Sequence, residues 1–167
     1  MKTILFIILM INVLLFPLQV KADMPSQLVA SDLSASPSSA SRLIATEQEV
    51  RQFFDNYIER YTRKDFDGFL WFFSLKAIQN QKDGLQGIKE IYSNFFDQSQ
   101  TLQCHMEDKK IEIYENGVEV KARYQIEQIV KKSGERKVWR GRIRWVLIKE
   151  DGTLKILSID YRHEKTP

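Results

Sequence analysis

Three long segments in the last third of the chain alternate apolar and polar residues, and this pattern predicts antiparallel β-strands. Asp151-Gly152 separates the last two segments and predicts a two-residue hairpin, because glycine tolerates the positive φ of such a turn. Ser133-Gly134 and Asn116-Gly117 predict two earlier turns, the second of which adds a fourth strand. The pattern therefore predicts a meander with one apolar face.

The predicted turns also set a register, since the residues that flank a two-residue loop pair with each other. On the apolar face, the last hairpin then pairs Leu147 with Ile156, Trp145 with Ser158, and Ile143 with Asp160. The earlier turns pair Tyr124 with Ile143, Ala122 with Trp145, Val120 with Leu147, Ile113 with Val120, and Ile111 with Ala122. Asp160 is therefore predicted to lie inside the apolar face.

The opposite face of the sheet is predicted to carry both charge and apolar surface. Arg140, Arg142 and Arg144 form a stripe there, which is either a solvated, partly paired face or a site for an anionic partner. An apolar patch on the same face predicts a homodimer through the outer sheet face, unless the linker or the chain end covers the patch. Its predicted members are Val146, Ile148, Leu157, Ile159 and Tyr161.

The strand before Asn116-Gly117 leaves two alternatives open. Strict alternation points His105 and Glu107 toward the apolar face, where they would give a pocket a polar lining. A bulge near Glu107–Lys110 would instead remove His105 from that face and bring Met106 into it.

The segments before the strands have helical periodicity. TEQEVRQFFDNYIERYTRKD predicts an amphipathic helix that begins with a capping box of Thr46 and Glu49. DFDGFLWFFS predicts a short second helix capped by Asp65 or Asp67, LKAIQN a short edge strand, and GLQGIKEIYSNFFDQSQ a third helix. Helices that precede a run of antiparallel strands indicate an α+β domain with the helices against one face of the sheet.

The N-terminal region has the composition of a targeting segment. Residues 1–22 contain Lys2, an apolar stretch, a proline and small residues near Ala22, and they predict a cleaved signal peptide. Residues 23–45 are rich in Ser and Ala and predict a flexible linker, so the folded domain is expected over residues 46–167. The predicted location is periplasmic or secreted. The alternative is an uncleaved N-terminal membrane anchor, the one membrane contact we expect.

Charge and chemistry exclude several classes of function. The formal net charge is +3, and cleavage after Ala22 would remove two lysines, which argues against a nucleic-acid partner. Cys104 is the one cysteine, so no internal disulfide forms, and a buried structural thiol is expected rather than a nucleophile. His105 and His163 are the two histidines and belong to different strands, and the predicted register pairs His163 with Arg140 on the outer face. No metal and no cofactor are expected.

Three stretches carry a resemblance to a known superfamily: VRQFFDNYIERYTRKDFDGFLWFFS, GIKEIYSNFF and WRGRIRWVLIKEDGTLKILSIDYRHE. They resemble the nuclear-transport-factor-2-like superfamily, which includes SnoaL-like polyketide cyclases, ketosteroid isomerase and scytalone dehydratase. The resemblance covers Thr46 to Glu164. It implies a cone-shaped α+β domain with a pocket between the helices and a curved sheet. Many members bind small hydrophobic molecules or pair with other proteins.

Two functions follow as expectations. The first is an exported, noncatalytic domain of the SnoaL-like type that binds a small hydrophobic ligand or another protein. The alternative is a small isomerase, cyclase or dehydratase in which Asp160, its pKa raised by burial, acts as general acid or base with Tyr124. A structural alternative for Asp160 is a paired acid that holds the core together. The predicted pocket residues are Tyr57, Tyr61, Trp71, Tyr92, Tyr124, Trp139, Trp145 and Asp160.

Overall fold

The computed structural model describes residues 43–164, which form three α-helices and six β-strands. The elements are α1 (Glu47–Arg63), α2 (Phe66–Leu70), β1 (Phe73–Gln79), β2 (Asp83–Gly84), α3 (Leu85–Gln98), β3 (Ser99–Ile113), β4 (Val118–Val130), β5 (Arg136–Glu150) and β6 (Thr153–His163). Within this range, no helix is long and apolar enough to cross a membrane. The predicted signal peptide and most of the predicted linker lie outside the described residues and stay predictions.

Helix α1 forms as its sequence pattern predicts. The Thr46 hydroxyl accepts from the Glu49 amide while the Glu49 side chain accepts from the Thr46 amide, so both partners of the capping box are present. The helix ends at Arg63 and is capped by Lys64, whose φ of 55° is left-handed. Its buried face carries Val50, Phe53, Phe54, Tyr57 and Tyr61. Helix α1 thus presents an almost wholly aromatic stripe to the sheet.

The six described strands form one curved, unclosed sheet in the order β2-β1-β6-β5-β4-β3. Strand β1 runs parallel to β6, whereas the other neighbours are antiparallel. The sheet is therefore mixed, whereas the sequence predicted a purely antiparallel sheet. The difference arises because β1, which precedes the meander in the chain, joins the sheet beside the last strand. The α+β architecture with helices on one sheet face is confirmed.

The predicted faces of β3, β4 and β5 are correct, but the predicted partners are two residues off. Val120 pairs with Trp145 rather than Leu147, and with Ile111 rather than Ile113. The two loops cause this shift, since each is longer than a two-residue turn: β3 ends at Ile113 and β4 begins at Val118. A shift by an even number leaves every side chain on its own face.

Strand β6 contains a β-bulge that overturns the predicted placement of Asp160. Leu147 pairs with Ile156 as predicted, but Val146 pairs with Ser158, so Leu157 is an extra residue. Beyond the bulge Arg144, rather than Ile143, lies opposite Asp160. One extra residue reverses the faces that strict alternation assigns to the rest of the strand. Asp160 therefore lies on the outer face of the sheet and not inside the apolar face.

The same bulge changes the predicted outer apolar patch. Ile159 is fully buried in the core, and Tyr161 lines a cavity on the helix side of the sheet. Val146, Ile148 and Leu157 remain, and each is half-buried. The patch is smaller than predicted, and a homodimer through it stays a prediction.

A second irregularity lies in β3, where the sequence left two alternatives open. The register shifts between Glu107 and Lys110, and Asp108 adopts a φ of 51°. Met106 consequently faces the cavity, while His105 is exposed on the other side. The bulged alternative is correct.

Ion pairs on the outer face give a testable pH dependence. Hydrogen bonds from Arg144 and Lys121 lower the pKa of Glu119 from 4.5 to about 2. A carboxylate whose pKa is depressed on folding stabilises the fold above its unfolded pKa, and this contribution disappears as the pH falls from about 4.5 to about 2.

We expect Glu119→Gln to remove about 1 kcal/mol of the free energy of unfolding at pH 7, a value reduced for solvent screening because the Arg144 side chain is 41% exposed. Urea unfolding at pH 7 and at pH 2.5 measures it, and the two proteins should converge in stability at the lower pH. An equal difference at both pH values would contradict the assignment.

Candidate functional site

A cavity of about 330 Å³ lies between the helices and the concave face of the sheet. Helices α1 and α3 form one wall and strands β3 to β6 the other. The wall residues are Tyr57, Tyr61, Ile91, Tyr92, Asn94, Phe95, Gln98, Cys104, Met106, Tyr124, Ile126, Trp139, Ile143, Tyr161 and His163. Most of this surface is aromatic or aliphatic, as is typical of small-molecule sites.

The main polar feature of the cavity wall is a hydrogen bond between Tyr124 and His163. Tyr124 on β4 pairs with Gly141 on β5, and Gly141 pairs with His163 on β6, so the three residues form one row across the sheet. Because Gly141 has no side chain, the Tyr124 hydroxyl reaches across β5 to within 2.7 Å of His163 Nδ1. A Cβ atom at Gly141 would lie only 2.8 Å from that hydroxyl.

Burial keeps the Tyr124 hydroxyl protonated. Desolvation raises the pKa of Tyr124 to about 12, so its phenol stays protonated at neutral pH and is able to donate to Nδ1. A neutral imidazole that accepts at Nδ1 carries its own proton on Nε2. In this tautomer the pair offers a ligand one N–H donor and the free lone pairs of one hydroxyl oxygen.

Aromatic rings surround His163 and hold it at the cavity mouth. Its ring centroid lies 5.5 Å from that of Trp139 and 5.4 Å from that of Tyr161. The Tyr124 ring is 6.1 Å away, in an edge-to-face arrangement. His163 is nevertheless exposed, so a ligand in the cavity and solvent both have access to it.

The inner part of the cavity contains weakly acidic groups that stay uncharged. Burial raises the pKa of Tyr57, Tyr61 and Tyr92 above the usual tyrosine value. Burial also raises the pKa of the Cys104 thiol to about 12, which leaves it protonated at neutral pH. Cys104 is therefore poorly suited to act as a nucleophile.

The cavity brings together five of the eight residues that the sequence assigned to a pocket: Tyr57, Tyr61, Tyr92, Tyr124 and Trp139. Trp145 instead lies behind the cavity in the core, fully buried against Phe54 at a centroid distance of 4.8 Å. Trp71, which caps α2, is 55% exposed, and Lys155 Nζ lies 3.5 Å from its ring centroid. These placements correct the predicted pocket at two positions.

The third correction is Asp160. On the outer face it accepts from Arg144 Nη1 at 3.4 Å and from Ser158 Oγ at 3.2 Å. It does not share the cavity with Tyr124, so the predicted acid–base pair of Asp160 and Tyr124 lacks its geometric basis. The structural alternative, in which Asp160 is a paired acid, describes its contacts, although these lie outside the core.

Tyr161 and His163 are the cavity residues that the sequence analysis placed on the wrong face of the sheet. Both were assigned to the outer face because strict alternation was continued through Leu157. Two signals could have indicated otherwise: Ile156 and Ile159 are apolar at a spacing of three, and Gly141 interrupts a strand, which often marks a bulge or a close approach.

Among residues 43–164, no group of three or more His, Cys, Asp and Glu side chains is arranged to hold a metal ion.

The chain is similar to known proteins in structure but not in sequence. Neither the protein-family models nor the curated proteins match this sequence. A nuclear transport factor 2 superfamily protein from Salmonella enterica has a similar structure, with a TM-score of 0.64 and 16% identity over 71% of this chain and 91% of that chain.

Two structures from Novosphingobium aromaticivorans are also similar. One, provisionally named a scytalone dehydratase, has a TM-score of 0.64 and 12% identity over 71% of this chain and 83% of that one. The other, provisionally named an aromatic ring hydroxylase, has a TM-score of 0.63 and 16% identity over 71% and 89% of the two chains. Such low identities show the fold alone. The resemblance inferred from the sequence is thereby confirmed at that level, and the chain has the nuclear-transport-factor-2-like fold.

Proposed function

We propose that the domain binds a small, largely apolar, uncharged molecule that carries one carbonyl or hydroxyl group. The observation that carries this proposal is the hydrogen-bonded pair of Tyr124 and His163 on the wall of a mostly apolar cavity. The other polar groups of the wall are uncharged: the amides of Asn94 and Gln98, the Cys104 thiol and tyrosine hydroxyls. Such a site combines apolar contact area with one oriented hydrogen bond.

The composition of the wall supports an uncharged ligand. Of the described residues, none that lines the cavity is Asp, Glu, Lys or Arg. A charged ligand would lose its hydration there without a counter-charge, which is costly in free energy. The cavity of about 330 Å³ is also near the lower end of the roughly 300–1,000 Å³ range of small-molecule sites, which favours a compact ligand.

The proposal is tested by isothermal titration calorimetry with three compounds of one shape: 2-naphthol, 2-methylnaphthalene and 2-naphthoate. We expect 2-naphthol to bind about tenfold more tightly than 2-methylnaphthalene, because it makes one extra hydrogen bond. The charged 2-naphthoate should bind most weakly. Tyr124→Phe should reduce the affinity for 2-naphthol to that of 2-methylnaphthalene.

Tyr114→Phe is the matched control, since Tyr114 also loses a hydroxyl but is exposed in the loop after β3. It should leave all three affinities unchanged. Equal affinities for 2-naphthol and 2-methylnaphthalene would contradict the role of the polar pair, and no binding of either compound would reject the proposal.

Proton transfer is a second candidate function, favoured by the distance of 2.7 Å between the Tyr124 hydroxyl and His163 Nδ1. This function requires the tautomer in which Nδ1–H donates to the phenol oxygen. The Tyr124 O–H then polarises a carbonyl, and the free lone pair of Nε2 takes a proton from the adjacent carbon and returns it. Hydrogen–deuterium exchange of 2-tetralone in D₂O, followed by NMR, tests it. Exchange no faster than in buffer would exclude proton transfer to this ketone and leave binding as the function.

A further inference from the structure

The outer face of the sheet contains a row of three arginines on three neighbouring strands. Arg123 on β4 pairs with Arg142 on β5, and Arg142 pairs with Arg162 on β6. All three side chains are exposed. Since neighbouring strands are about 4.8 Å apart, this arginine row spans about 10 Å across the sheet.

The row differs from the charged residues beside it because its guanidinium groups form no ion pairs, although Glu107 on β3 lies opposite Arg123 and Asp108 lies at the edge of the groove. Arg144 pairs with Glu119 and Asp160, and Arg136 pairs with Glu127. Over residues 43–164, by contrast, no carboxylate forms an ion pair with Arg123, Arg142 or Arg162. Like charges directly opposite each other on neighbouring strands destabilise a sheet, so the fold alone does not account for this arrangement.

A groove of about 730 Å³ runs over the row. Asn80 and Gln81, in the turn between β1 and β2, lie at one side, and Asp108 in the β3 bulge lies at the other. The groove also contains Lys121, Arg144 and Asp160, whose charges are already engaged in the ion pairs of the outer face. The three arginines are thus enclosed on two sides rather than spread over a flat surface.

We propose that this groove binds a ligand with several linked oxyanion groups, such as an oligophosphate. A guanidinium group donates two parallel hydrogen bonds to one phosphate or carboxylate, and three such groups in a row match several linked anions better than one. The bound ligand would supply the ion pairs that the three arginines do not form with carboxylates of the domain. The arginines alternate along their strands with Tyr124, Gly141 and His163, so they lie on the opposite face of the sheet from the polar pair, and this inference is independent of the proposed function.

Calorimetric titration of the full chain with tripolyphosphate, orthophosphate and citrate at low salt tests the proposal. We expect tripolyphosphate to bind at least tenfold more tightly than orthophosphate. Citrate distinguishes the sources: affinity similar to that of tripolyphosphate would indicate linked carboxylates as natural ligands, and much weaker binding would indicate phosphates. Arg142→Gln and Arg162→Gln should each reduce tripolyphosphate affinity about tenfold.

Arg51→Gln is the control for net charge, since Arg51 pairs with Glu47 on α1 and lies outside the groove. It should leave tripolyphosphate affinity unchanged. An equal loss in Arg51→Gln would mean diffuse attraction and overturn the proposal, as would the absence of tripolyphosphate binding to the folded wild-type chain. Arg162 is exposed near the end of β6, so Arg162→Gln keeps the test valid if Arg142→Gln does not fold.

Discussion

Gly141→Ala is expected to lower the free energy of unfolding by about 3 kcal/mol, an over-packing effect at the upper end of the usual range. A Cβ atom at this position would lie 2.0 Å from the backbone oxygen of Arg162 and 2.8 Å from the Tyr124 hydroxyl. The backbone of β6 cannot move away without breaking its pairing with β5. We therefore expect β5 and β6 to separate at this end, which also breaks the hydrogen bond between Tyr124 and His163.

Urea unfolding followed by circular dichroism measures the change in stability, and the ¹H–¹⁵N NMR signal of the His163 ring reports the local hydrogen bond. Gly84→Ala is the matched control, because nothing lies within 4 Å of the added Cβ atom and the φ of Gly84 is −70°. It should cost less than about 1 kcal/mol. A Gly141→Ala protein as stable as the control would show that the close approach of β6 is not required.

Trp145→Ala is expected to have the largest effect of any single truncation, about 4 kcal/mol of unfolding free energy. The indole is fully buried and packs edge-on against Phe54 and Tyr57 of helix α1. Its removal would leave a void between the sheet and the helix that rigid neighbouring rings cannot fill. This loss is a large part of the total stability of a small domain, which is about 5–15 kcal/mol.

Equilibrium urea unfolding is again the measurement, with Trp71→Ala as the control. Trp71 is the same residue type but is 55% exposed, so its truncation should cost less than about 1 kcal/mol. Trp145→Phe should fall between the two because it keeps an aromatic ring in the core. If Trp145→Ala lowered the free energy of unfolding by less than about 2 kcal/mol, Trp145 would not be a tightly packed core residue but part of a deformable cavity wall.

The sequence predicted the helices and the apolar faces of β3 to β5 because these features depend on local pattern. The capping box of Thr46 and Glu49 and the aromatic stripe of α1 are visible in the sequence. The faces of β4 and β5 were predicted correctly although the loops are longer than expected, because the resulting shift in pairing is two residues in both cases. Pairing partners were less predictable, since glycine-containing turns of two, four and five residues look alike in sequence.

The candidate site was predicted only in its helical half and in β3 to β5. Tyr57, Tyr61, Tyr92 and Tyr124 were identified by their position on predicted apolar faces, whereas His163 was assigned to the opposite side. A bulge has no fixed sequence signature, because the extra residue is accommodated by backbone geometry and by the partner strand. The placement of Asp160 could therefore be decided only by the pairing of β5 with β6 in three dimensions.

The extra residue in β6 has a consequence for how such domains diverge. With a regular strand of the same length, Asp160 and Arg162 would face the cavity and Tyr161 and His163 would face outward. An inserted residue that is absorbed as a bulge leaves the chemistry of the cavity intact. An insertion that is not absorbed exchanges a phenol and an imidazole for a carboxylate and a guanidinium in a single mutational event, while β3, β4 and β5 stay the same. In this fold, whether an extra residue in β6 is absorbed by a bulge thus determines which side chains line the cavity, and with them which ligands a descendant protein binds.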